Sequence, residues 1–195
     1  MNPSPAKPIN PDTVSKPNRR VFAAMLLAAL ALAVIEGSAL AAGSNLVKNG
    51  SFEKDTDGDG LPNNWVGTNL TPNDKRVCNQ SKAGSCSFKI VGDTGDKEFR
   101  QDVAISGSAG EEFTLSAWTK AKILGTGTHR ILMRFNSTGG GNDELFTIPD
   151  GTTPWTLHQV TGSAAEDFDS ITVILQFEAD GGKMWMDKVK LVATP

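Results

Sequence analysis

Downstream of residue 86 the chain alternates apolar and polar residues over short runs. Ser87–Val91 alternates, and Phe99–Ile105 follows with Gln101 in register with Phe99, Val103 and Ile105. Phe113–Lys120 places Phe113, Leu115 and Ala117 on one side and Ser116, Trp118 and Lys120 on the other. Ile131, Met133 and Phe135 alternate with Arg134 and Asn136, while Val173, Leu175 and Phe177 alternate with Gln176 and Glu178. Trp155–Thr161 and Lys183–Val192 complete the set. Gly107–Gly110 is a turn and Ser137–Asn142 a glycine-rich loop. A period of two points successive side chains to opposite faces of a sheet, and no helical period competes with it here. About eight to ten short strands in one all-β domain predict a β-sandwich of the jelly-roll type.

The N-terminal part differs. Residues 1–20 contain Pro3, Pro5, Pro8, Pro11 and Pro17 and almost no large apolar side chain, too little to fold. Arg19 and Arg20 precede an apolar run, Val21–Ile35, which is shorter than the roughly 20 residues needed to span a bilayer. Ala39-Leu40-Ala41 follows as a small-x-small cleavage pattern, so residues 1–41 read as a leader with a secretory signal peptide. The long segment before the apolar run leaves an uncleaved anchor as the alternative, and a membrane is a partner only in that case. Residues 42–195 form the predicted domain, secreted or held at the cell surface.

The whole chain carries −3 and the leader +2, so the domain carries −5. An acidic, exported domain without a basic run excludes nucleic acid as the expected partner. Export also makes a Cys78–Cys86 disulfide plausible, with Lys82–Ser85 turning the chain back between them.

The stretch Asn45–Trp65 carries the densest chemistry. Leu46, Val47 and Phe52 predict an opening strand, and Glu53, Asp55, Asp57 and Asp59 follow within seven residues. Carboxylates this close repel one another unless solvated or holding a cation. The alternation of Asp55, Asp57 and Asp59, with Gly60 for the turn, suits calcium, a hard cation with oxygen ligands. It is not an EF-hand, since the twelfth position counted from Asp55 is Val66. A solvated acidic turn is the alternative.

Five segments in order carry a resemblance: NLVKNGSFE (45–53), AGSCSFKI (83–90), GEEFTLSAWTKA (110–121), WTLHQVT (155–161) and MWMDKVKL (184–191). Together they resemble a CenC-type carbohydrate-binding module, a galactose-binding-like jelly roll. The resemblance implies a structural calcium tying the first strand to the last, at the positions matched by Glu53 and Asp187. Lys188 stands where the family usually has a second acid. The resemblance also implies non-catalytic carbohydrate binding.

Strand alternation places Trp118, Lys120, Arg134, Asn136, Gln176 and Glu178 away from the core, and their sharing one outer face would combine a stacking ring with hydrogen-bonding groups, as a sugar requires. Gln101 joins that face only if a bulge reverses its register. Trp65, Trp155 and Trp185 read as packing residues, and the chain has no tyrosine to add a second stacking ring. No nucleophile elbow, ordered Ser-His-Asp set or zinc spacing is present, so an enzyme is not expected. The rival to sugar binding is a structural or adhesive surface protein using the same sandwich for protein contacts.

Overall fold

The computed structural model describes residues 43–194, so the leader, whether signal peptide or anchor, lies outside the described residues. Within them the chain is all-β. The strands are β1 (Val66–Thr68), β2 (Lys75–Val77), β3 (Ser87–Val91), β4 (Lys97–Val103), β5 (Glu112–Leu124), β6 (Gly127–Asn136), β7 (Asn142–Thr147), β8 (Gly151–Ser163), β9 (Ser170–Ala179) and β10 (Lys183–Ala193). They form two five-stranded antiparallel sheets. Sheet I has the order β1-β4-β9-β6-β7 and sheet II the order β2-β3-β10-β5-β8. This is the predicted sandwich. No helix among the described residues is long and apolar enough to cross a membrane.

The inward residues of each strand fill the space between the sheets. Near one end Phe52, Trp65, Phe88 and Phe99 form an aromatic cluster, with Phe88 stacked on Phe99 at 3.6 Å between ring centroids and Trp65 stacked on Phe99 at 4.8 Å. Near the other, Phe113, Phe135 and Phe168 meet edge-on or tilted, 5.4–5.8 Å apart. Such contacts contribute beyond their buried area, roughly 0.5–1.5 kcal/mol per pair.

Two features of the interior were not legible in the strand pattern. Lys97 points inward from β4 and is buried, yet it ends on Asp74 at 2.8 Å, Asp93 at 2.8 Å and the Val91 carbonyl at 2.8 Å. Asp74 in turn accepts from the backbone N–H of Val91 and Thr71, so the buried charges are paired and hydrogen-bonded, as burial demands. The second feature is the opening stretch. The expected strand at Leu46–Phe52 is instead a series of turns, with Asn49 and Phe52 in left-handed backbone conformations at φ 50° and 58°. It lies along the end of β10, where Leu46 N–H donates to the Leu191 carbonyl and Val189 N–H to the Gly50 carbonyl, both at 2.8 Å. Any side chain at position 50 would collide with the Val189 carbonyl, which is why a glycine fits there. Next to this contact β10 is bulged between Asp187 and Lys190, and Lys188 has φ 52°.

Candidate functional site: two outer faces and an acidic loop

The six residues expected on one outer face divide between the two sheets. Trp118 and Lys120 are on β5 of sheet II, whereas Arg134 and Asn136 are on β6, and Gln176 and Glu178 on β9, of sheet I. All six point away from the core, as alternation predicts. Alternation does not reveal which sheet a strand joins, and the chain changes sheet between β5 and β6. Trp118 and Arg134 therefore face opposite directions across the sandwich.

Gln101 is also corrected. β4 pairs with β9 without a bulge from Lys97 to Val103, so Gln101 stays on the core side with 4% exposure. Its amide grips the opening stretch: Lys48 N–H donates to Oε1 at 2.7 Å, and Nε2 donates to the Lys48 carbonyl at 2.8 Å. This is a structural clasp, not a ligand contact.

The outer face of sheet I is a network of planar polar groups. Arg130 Nε donates to Gln176 Oε1 at 2.6 Å, and Gln176 Nε2 donates to Glu98 Oε1 at 3.2 Å. Arg134 makes a two-pronged pair with Asp143, both bonds at 2.8 Å, and the pairing raises the guanidinium pKa further above its usual value. Asn136 Nδ2 donates to Ser170 Oγ and Thr172 Oγ1, and the Thr172 hydroxyl donates to Asp102. Between these rows run Ile174, Leu132 and Leu145 in cross-strand register, the first two buried under their neighbours and Leu145 partly exposed.

The outer face of sheet II has a different character. Trp118 is partly exposed, and Lys82 Nζ sits 3.8 Å from its ring centroid. Trp185 pairs across strands with Lys89 on β3 and Lys120 on β5, and Lys89 pairs with Lys75 on β2. Part of this face is covered by the loop that the Cys78–Cys86 disulfide closes, S–S 2.05 Å. Asp187, buried on this side of β10, accepts from Lys82 N–H at 2.8 Å, Ala83 N–H at 3.1 Å and Lys188 N–H at 2.7 Å. Glu53 Oε1 accepts from Ser85 and Cys86 N–H. Desolvation raises the Asp187 pKa, the three N–H donors oppose this, and the nearby Glu53 charge adds a small upward push.

The five acids considered for a metal thus fall into two groups. Asp55, Asp57 and Asp59 converge, each offering an oxygen within 4.8 Å of the others. Asp55 also accepts from Gly58 N–H and Asp59 from Leu61 N–H, which shapes the loop and leaves the second oxygen of each for another partner. The chemistry of this donor set fits a hard cation. Glu53 and Asp187 instead accept from amide hydrogens of the disulfide loop, and the Glu53 charge acts on Asp187.

The architecture recurs among solved structures. It is similar to the enzymatically active domain of bacteriophage CBA120 tailspike protein 4, at 17% identity and TM-score 0.59, over 77% of this chain but 21% of that one. It is similar to TmCBM61 in complex with β-1,4-galactotriose, at 19% identity and TM-score 0.53, over 77% of this chain and 99% of the other. A family 16 carbohydrate-binding module matches at 20% identity and TM-score 0.56, over 76% and 99% of the two chains. The fold is that of carbohydrate-binding modules. No protein-family model matches the chain, and no curated protein does.

Proposed function

We propose that this chain is an exported, non-catalytic carbohydrate-binding module of CenC-like type, with its saccharide site on the outer face of sheet I. The observation that carries this reading is the chain of bonds Glu98–Gln176–Arg130, three planar polar groups held in place before any ligand arrives. Fixed donors and acceptors beside an apolar strip suit sugar hydroxyls flanking C–H surface, because little ordering entropy is lost on binding. The fold shared with modules such as TmCBM61 supports the same reading, as does the disulfide for export. Trp118 has no part in this site.

The test is a glycan array followed by titration of the strongest ligand. Arg130→Ala and Gln176→Ala should each weaken binding about tenfold or more, with the melting midpoint nearly unchanged. Full binding in both variants refutes the site.

Calcium at Asp55, Asp57 and Asp59 is the proposed cation, and it would supply charge neutralisation of the loop. A ligand that binds only the folded state raises its stability by mass action, so melting in excess calcium should exceed melting in chelator by several degrees. An unchanged midpoint in both removes the metal.

A further inference from the structure

The domain is acidic, yet one of its faces is not. On the outer side of sheet II, Lys75, Lys89, Trp185 and Lys120 lie in register on four adjacent strands. Two residues along β10, Lys183 pairs with Lys122. The ammonium groups of Lys120 and Lys183 lie 5.8 Å and 5.5 Å from the Trp185 ring centroid, and Trp185 is 8% exposed although it faces away from the core. Among the described residues none of these five lysines forms an ion pair, while Lys97 and two of the arginines do. Lys120 reaches only the neutral Gln80 side chain, at 3.2 Å. Two acids near the cluster are engaged elsewhere: Asp74 with the buried Lys97, and Asp187 with three backbone N–H groups. Desolvation lowers the Lys89 pKa, Lys75 and Lys183 push it further down, and the Asp74 charge opposes them.

Like charges gathered on a flat surface cost stability unless an anion offsets them. Adjacent strands are about 4.8 Å apart, so the backbone positions of these residues recur across the sheet at close to the length of one sugar ring or a multiple of it. A polymer with one carboxylate on every ring matches that repeat. A nucleic acid fits less well, because no arginine lies in the cluster and the Trp185 ring is too covered to stack a base.

We infer that the outer face of sheet II is a second binding site, for a carboxylated polysaccharide lying across the strands along Lys75, Lys89, Trp185 and Lys120. This site is independent of the one proposed on sheet I. The full chain is titrated with polygalacturonate, with its fully methyl-esterified form and with duplex DNA, at low and at high salt. Polygalacturonate should bind, with affinity falling as salt rises. The methyl ester, which keeps the sugar backbone and loses the charge, and DNA should each bind at least tenfold more weakly. Lys89→Gln/Lys183→Gln should cost tenfold or more, and Arg130→Ala should leave polygalacturonate binding intact. If the first variant melts early, Lys75→Gln/Lys122→Gln, at exposed positions, takes its place with the same expected loss. Absent polygalacturonate binding, equal binding of the methyl ester, or full binding by well-folded lysine variants overturns the site. DNA bound as tightly as polygalacturonate overturns the saccharide assignment. Polygalacturonate binding lost in Arg130→Ala and kept in the lysine variants moves the ligand to sheet I.

Discussion

The two outer faces of this sandwich obey the same alternation and end in opposite electrostatic states. On sheet I, Arg130 meets Gln176 and Arg134 meets Asp143, so the positive groups have partners. On sheet II, Lys75, Lys89, Lys120, Lys122 and Lys183 gather around Trp185 with no ion pair among the described residues. The difference shows that outward positions are not interchangeable solvent-facing sites. A paired network is already organised to receive neutral groups, and an unpaired cluster retains its attraction for an anion.

That contrast presumes that charge inside the sandwich serves the fold while charge on its faces serves binding. The largest test concerns the inside. Lys97→Met leaves Asp74 buried without its cation and should cost about 3–5 kcal/mol, read as a lower urea midpoint. A tolerated Lys97→Met removes the distinction between interior and face. Next in size is the disulfide. Cys78→Ser/Cys86→Ser should cost about 2–4 kcal/mol and disturb sheet II selectively, since its loop covers that face and carries Lys82 onto Trp118. Amide shifts spread evenly over both sheets would contradict this selectivity.

The smallest effect near neutral pH comes from the histidines. Burial lowers the pKa of both His129 and His158 below the ordinary value of 6.5, desolvation being the main cause. A depressed folded pKa means that the unfolded chain takes up protons first. The stability they contribute is therefore complete above 6.5 and is lost as pH falls through the depressed folded values. Melting midpoints should fall on mild acidification, and less so in His158→Gln, whose ring stacks on Phe146 where β7 and β8 meet. An identical fall in that variant would assign the effect to His129 and other groups.

Much of the fold was legible because long runs repeat the alternation. Phe113, Leu115 and Ala117 are inside and Trp118 outside, and the same holds for β3, β6 and β9. β1 and β2 have three residues each, too few to show a period. β7 begins at Asn142, which reads as the end of a glycine-rich loop, and its adjacent Leu145 and Phe146 mask the alternation. The candidate face was only half legible, because a period of two separates inside from outside and carries no information about which sheet a strand joins. Placing Trp118 opposite Arg134 required the order of strands in space. The core lysine was missed for a related reason: Lys97 begins a strand, where a charge reads as solvent-facing. One signal pointed correctly, the close spacing of the two cysteines that form the bridge.

The loop held by Glu53 and Asp187 has a kinetic consequence. The amide hydrogens of Lys82 and Ala83 are held by a residue more than a hundred positions later in the chain, and those of Ser85 and Cys86 by one more than thirty positions earlier. The disulfide can form as soon as its short loop closes, but the Ser85 and Cys86 amides gain protection from exchange only after the opening stretch arrives, and those of Lys82 and Ala83 only after the last strand does. Contacts of such wide sequence separation form slowly. In a refolding time course, the Lys82 and Ala83 hydrogens mark the moment at which the last strand docks.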